Sequence, residues 1–310
     1  MKNNTVAIAL WLYNTEQYQQ FIDLLLPISS YIHLYLGLCV DKDIGIDKEF
    51  IKAFPNNINI EWYPNLGADI LPFLHQLKAI SHNNHKYLIK IHSKKRAWGY
   101  KQHVHWLEVL VNDLLIKKYF FSNIDQMNKS SSEMLGCKSL ILTNQENTNT
   151  EKIKELCTIM NLPKIKKKSF IGGNIFMAKT KMFNIFLEHF DDLEEKLIKE
   201  HGYVSDLSSG KYCHSIERIF GYMASLKHNI THSFYPQKII INPKTNKHRL
   251  HLTELYNNHC YITENLNIYG KIIEHTPNKN LTVSWLNSES PSIQNYKYLN
   301  NNTLINYAYT

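Results

Sequence analysis

Residues 86 to 98 read KYLIKIHSKKRAW, an apolar run that ends in cations. Lys90, His92 and Lys94 share a parity, so on a strand their side chains point to one face. Lys95 and Arg96 follow where the strand gives way to a loop. Several cationic groups aimed at one point suit an anion. The demanding case is a leaving diphosphate, whose developing charge such groups stabilise without a metal ion. The same residues also fit a solvated edge with snorkelling lysines. Leu88, Ile89 and Ile91 favour a buried strand in mid-sheet instead.

Three further segments carry residue types suited to a site. PNLGADILPFL (64–74) reads as a strand–turn–helix junction. Gly67 permits a tight turn, and the helix start presents free N–H groups to a phosphate or a ribose hydroxyl, with Asn65 and Asp69 flanking it. Asp69 is equally suited to be an ordinary N-cap. In CHSIERIFGYMA (213–224), Ile216, Ile219, Phe220 and Met223 form an apolar stripe. His214, Glu217 and Arg218 fall at i, i+3 and i+4 on a common face. A carboxylate beside a histidine can be a general base or orient one; a plain Glu–Arg surface pair with a capping His fits as well. In IGGNIFMAK (171–179), Gly172 and Gly173 remove side chains where a ligand or another backbone approaches, or where the strand bulges.

Other candidates carry less. The pairs His82/His85 and His103/His105 are expected by chance among 16 histidines, and neither forms an HExxH pattern. KIKKK (164–168) reads as a solvated loop able to touch anionic lipid. The basic residues lack an RNA-binding signature.

The elements that must position these residues alternate. Strands are predicted over 5–13, 31–40, 57–65 and 86–92, with helices over 15–29 and 67–80 between them. A long amphipathic helix is predicted over 103–120. Strands at 135–142 and 169–179 and helices near 151–160, 181–200 and 213–226 follow. This βαβαβ order predicts an α/β fold with a mostly parallel sheet flanked by helices and ligands at the carboxyl ends of its strands. The texture changes after residue 229, where short strands KIIIN, NHCYITENLNIYGKIIEH and NLTVSWLN precede an Asn- and Tyr-rich tail of little pattern. The division is therefore 1–229 as the main domain and 230–310 as a small β-rich extension.

Composition sets outer bounds. The chain has 310 residues, is 44% hydrophobic and carries 35 Lys+Arg against 27 Asp+Glu, for a net charge of +8. A sizeable core is available, and the basic balance favours an anionic partner such as a nucleotide, a phosphorylated lipid or a membrane surface. The five cysteines are scattered without a CxxC pair, which fits a reducing cytoplasm better than a disulfide framework or a structural zinc site. The apolar run near the N-terminus is too short for a signal peptide, and no run approaches transmembrane length.

In this order, NLGADILPFL, KIHSKK, GNIFMAK and HSIER resemble the family of rhamnan synthesis protein F, bacterial polysaccharide glycosyltransferases. The family pattern runs roughly N-x-G-x-D-I-x-P-F-L, K-x-H-[ST]-K-K, G-x-[MI]-F-x-[AV] and H-x-x-E-R, and the resemblance covers about residues 5 to 230. Ala68 stands where the family commonly has Arg, and the last 80 residues match no part of the pattern. The resemblance implies a GT-A-like nucleotide-sugar-binding domain. It also implies sugar transfer from dTDP-rhamnose or a UDP-hexose to a surface polysaccharide, lipopolysaccharide or lipid-linked acceptor.

Where many such enzymes end a strand in a metal-binding Asp-x-Asp, this chain has HSKK, so the expectation is metal-independent transfer with no cofactor, a divalent metal being disfavoured. Asn65, Gly67, Asp69 and Arg218 are then donor-side residues, and Lys90, His92, Lys94 and Lys95 the diphosphate clamp. Gly172, Gly173 and Asn174 floor the acceptor cleft. Glu217, helped by His214, is the candidate base, with Asp206 in reserve. The expected location is the cytoplasm or the inner face of its membrane, with no nucleic-acid partner. A transferase of a phospho-substituent and a non-catalytic glycan- or nucleotide-binding module are the other readings.

Overall fold

The computed structural model describes residues 6–13, 15–42, 45–46, 48–54, 57–94, 110–137, 140–143, 147–165, 168–200, 210–227 and 230–233, and five strand segments beyond them. The chain divides into two compact units, Met1–Ser93 with Leu110–Ser233, and Lys94–Val109 with Phe234–Thr310.

The first unit begins as alternating strands and helices: β1 (Val6–Leu12), α1 (Tyr18–Leu25), β2 (Ile32–Cys39), α2 (Lys48–Lys52), β3 (Ile58–Tyr63), α3 (Ile70–Ser81) and β4 (Tyr87–His92). Next come α4 (Lys117–Lys129), β5 (Met134–Gly136), β6 (Ile141–Thr143), α5 (Thr150–Ile159), β7 (Ser169–Ile171) and β8 (Phe176–Lys179). The unit closes with α6 (Asn184–Glu188), α7 (Phe190–Lys199), α8 (Tyr212–Lys227) and β9 (Ile230–His232). Seven strands form one sheet in the order β3-β2-β1-β4-β8-β5-β9. β3, β2, β1 and β4 run parallel, β8 runs antiparallel to both its neighbours, and β5 and β9 are again parallel. Thus the sheet is mostly parallel and flanked by helices, with β4 at its centre. All seven residues of β1 and all six of β4 are buried, as strands covered on both faces must be.

The core beside the site is aromatic. Phe73 of α3, Phe176 of β8, Phe183 and Phe220 of α8 interlock with ring centroids 5.4 to 6.3 Å apart, mostly edge to face. α3 joins it because Ile70, Phe73, Leu74, Leu77 and Ile80 recur at helical spacing and all are buried.

Several elements differ from the sequence expectation. The run 135–142 is two strands, β5 in the large sheet and β6 paired with β7 in a small one. The run 169–179 is broken by left-handed backbone at Gly173 and Asn174 (φ +83° and +56°). The helix expected over 181–200 is a 3-10 turn followed by α6 and α7, separated at His189. Of the long helix expected over 103–120, residues 103–109 lie outside the described residues. Residues 110–115 are helical, and Ile116 (ψ 123°) interrupts before α4. A continuous apolar run carries no mark of where a chain changes direction inside it.

The second unit contains an antiparallel sheet: β10 (Arg249–His251), β11 (Gly270–Thr276), β12 (Asn280–Trp285), β13 (Ile293–Leu299) and β14 (Leu304–Asn306), in the order β10-β14-β13-β12-β11. KIIIN at 238–242 lies outside the described residues. The patternless tail is corrected to strands: Leu299 pairs with Leu304 and Lys297 with Asn306. Asn weakens strand propensity on average, but cross-strand pairing outweighs it here. No helix among the described residues is long and apolar enough to cross a membrane.

Candidate active site

Two left-handed turns meet at the carboxyl end of β4. The first precedes α3. Gly67 and Ala68 both have positive φ (+62° and +54°), and a Cβ on Gly67 would lie 2.6 Å from the Leu71 Cβ. The Ala68 conformation costs roughly 1–2 kcal/mol for a residue with a side chain. Asn65 is half-buried in the same turn. The second is the Gly173–Asn174 turn. Because β8 is antiparallel to β4, with Lys90 opposite Phe176, the turn before β8 falls beside the end of β4.

Asp69 joins the two turns. It occupies the N-cap position of α3 but makes no side-chain cap bond. Its Oδ2 instead accepts from the Lys90 ammonium and, at 2.5 Å, from the Asn174 amide nitrogen. Lys90 Nζ also donates to the Asn174 carbonyl at 3.2 Å, lies 3.5 Å from His92 Nδ1 and sits 5.3 Å from the centre of the Phe73 ring. His92 Nδ1 is 3.6 Å from Asp69 Oδ2. Lys90 is 1% exposed, and a charge buried that deeply needs such a partner. The charge of Lys90 is met by Asp69, and these bonds lock both turns to the central strand. Asn174 Oδ1 is buried with no hydrogen-bond partner among the described residues.

The third wall is α8. The Gly173 N–H donates to Glu217 Oε1 at 3.0 Å. Gly221 sets this distance: a Cβ there would lie 2.3 Å from the Phe170 Cα, so only glycine lets α8 rest directly on β7, one turn beyond Glu217. Arg218 donates to the His214 carbonyl at 2.8 Å and lies 4.9 Å over the Phe170 ring. His214 remains half-buried on the same helix. Cys213 is buried, which pushes its thiol up to about 12, and the charges of Asp69 and Glu217 add to that shift.

Asn65, Gly67, Asp69, Lys90, His92, Gly173, Asn174 and Glu217 are thus grouped by the fold. Gly172 instead turns toward the small sheet, where its N–H donates to the Leu140 carbonyl at 2.7 Å. Lys94 follows directly after Ser93 and opens the second unit, while Lys95 and Asp206 lie outside the described residues. Sequence reasoning missed Phe73, Ser93, Cys213 and Gly221. Ser93 takes the Tyr13 N–H at 2.7 Å and gives its own N–H to the Trp11 carbonyl, which ties the end of β4 to β1. Its place inside HSKK was the available signal; Gly221 inside an apolar helix was the other. Among the described residues, no group of three or more His, Cys, Asp or Glu is placed to hold a metal ion.

A mostly parallel α/β sheet with a polar cluster beyond the carboxyl end of its central strand defines a ligand-binding class of fold. The family model of rhamnan synthesis protein F matches residues 1–229, and the chain belongs to that family, which connects it to polysaccharide synthesis. No curated protein matches it.

Proposed function

We propose that the protein is a GT-A-like glycosyltransferase. It moves a sugar from a nucleotide-diphospho-sugar, dTDP-rhamnose or a UDP-hexose, to a bacterial surface polysaccharide, lipopolysaccharide or lipid-linked acceptor. Residues 1–229 carry the transferase domain and 230–310 the extension. The observation that carries the reading is the Asp69–Lys90–Asn174 knot, which holds two strained turns and Glu217 around one point at the carboxyl end of β4.

In the reaction the acceptor oxygen bonds to the anomeric carbon, the bond from that carbon to the diphosphate oxygen breaks, and the nucleoside diphosphate departs with the electron pair. The acceptor hydroxyl proton goes to a base. Glu217 is the base when the anomeric centre inverts, oriented by the Gly173 N–H and helped by His214; Asp206 is the reserve. Asp69 and Asn65 take ribose or sugar hydroxyls, since a carboxylate accepts about four hydrogen bonds. His92, Lys94 and Lys95 meet the leaving diphosphate without a metal ion. Gly173 and Asn174 floor the acceptor side, and the work takes place in the cytoplasm or on the inner membrane face.

The experiment is a thermal-shift screen of dTDP- and UDP-sugars with EDTA and with Mn²⁺, followed by transfer assays. A ligand that binds only the native state raises the melting temperature. Stabilisation in EDTA that Lys94→Ala abolishes, together with transfer that Glu217→Ala abolishes while donor binding stays, supports the reading. Transfer lost in EDTA and restored by Mn²⁺ overturns the metal-free clamp. Binding and pathway output both intact in Glu217→Ala point to a non-catalytic module.

A further inference from the structure

The opposite end of β4 carries a second cationic feature, one that the proposed transfer does not use. β4 begins where β8 ends: Tyr87 pairs with Lys179, and the Thr180 N–H donates to the Lys86 carbonyl at 3.1 Å. This junction and the end of α4 wall a cleft of about 490 Å³, within the size range of small-molecule sites. Lys86, Lys179 and Lys181 line it together with His85, Tyr87 and Asn128.

The charges there are unbalanced. Lys179 meets Glu133 Oε1 at 3.1 Å. Lys86 donates to the neutral Asn128 Oδ1 at 2.6 Å, and the same oxygen accepts from the Tyr87 hydroxyl at 2.7 Å. That bond fixes the Lys86 ammonium at the cleft wall without neutralising it. Neither Lys86 nor Lys181 pairs with a carboxylate among the described residues. The last carbonyls of α4 carry partial negative charge. Among the described residues none of the three ammonium groups bonds to one of them, so these lysines are not spent in capping the helix. Like charges gathered round one cleft repel, and a bound anion offsets that repulsion.

We infer that this cleft is a second anion site, which binds a phosphate mono- or diester carried by a small soluble molecule or by a lipid headgroup. It is separate from the candidate active site, since the residues from Tyr87 to His92 span about 17 Å of strand. Two cations unmet by carboxylates suit a phosphate, which carries up to two negative charges as a monoester and one as a diester.

The test uses the full chain, its Lys86→Gln/Lys181→Gln variant and, as a marker of the other site, His92→Ala. Calorimetric titration with inorganic pyrophosphate at low salt forms one arm. Pelleting with phosphatidylcholine vesicles, with and without phosphatidylglycerol, forms the other. Both lysines are exposed, so the double variant keeps the wild-type melting temperature. A pyrophosphate-binding step weakened about tenfold in the double variant and retained in His92→Ala supports the site with a soluble ligand. Retention on phosphatidylglycerol vesicles lost only in the double variant supports it with a lipid headgroup. A double variant that matches wild type in both arms overturns the inference, as does wild-type protein that binds neither probe. A pyrophosphate step lost only in His92→Ala reports on the candidate active site and leaves this cleft without support.

Discussion

The two ends of β4 use the same side chain in opposite ways. At the carboxyl end Lys90 is buried, ion-paired with Asp69 and bonded to Asn174. At the amino end Lys86 is exposed and donates to a neutral amide oxygen, with no carboxylate partner among the described residues and Lys181 lining the same cleft. A buried ammonium persists only with a partner, so Lys90 has become a structural fastening. An exposed one keeps its charge available, so Lys86 and Lys181 can recruit a ligand. Cationic residues in a run therefore do not all face the same task.

The largest expected effect breaks the carboxyl end. Lys90→Met leaves the Asp69 carboxylate without its cation and should cost about 3–5 kcal/mol, read from urea unfolding. Adding Asp69→Asn should recover part of that loss; a strictly additive double variant would refute the pairing. Next comes Gly221→Ala, which drives a Cβ into the Phe170 backbone. It should cost about 1–3 kcal/mol and, by lifting Glu217 from Gly173, lower turnover more than donor affinity. The contrasting variant, Lys86→Gln/Lys181→Gln, should change stability by less than about 0.5 kcal/mol; a loss like that of Lys90→Met would erase the distinction between the two ends.

The last effect concerns Cys213 and is absent at neutral pH. Its folded value of about 12 lies above the ordinary 9.0, so the native state holds this proton more tightly than the unfolded chain does. The stability this gives is complete below pH 9 and is lost as pH rises from 9 toward 12. Cys213→Ala should flatten that alkaline decline, and the native thiol should resist iodoacetamide at pH 8.

Much of the site was legible because its residue types are local signals. Gly67 announced a tight turn, Gly173 a close approach or a bulge, the parity of Lys90 and His92 one face, and the spacing from His214 to Arg218 a helix. The partners were not legible. Asp69 and Lys90 lie 21 residues apart and Asp69 and Asn174 lie 105 apart, and nothing local says that one carboxylate serves both. Asp69 therefore read as a donor-side residue or a helix cap, and Lys90 as a waiting cation.

The sequence by itself determined the alternation of strands and helices, the buried central strand and the family, since periodicity and short motifs are properties of neighbouring residues. Only the tertiary structure decided that β8 runs antiparallel beside β4. That pairing brings the Asn174 turn to one end of the strand and the three lysines to the other. It also decided that α8 sits on β7 at Gly221, which places Glu217 against Gly173. Strand order and close approach depend on which distant surfaces exclude water together, and no window of the chain contains both surfaces.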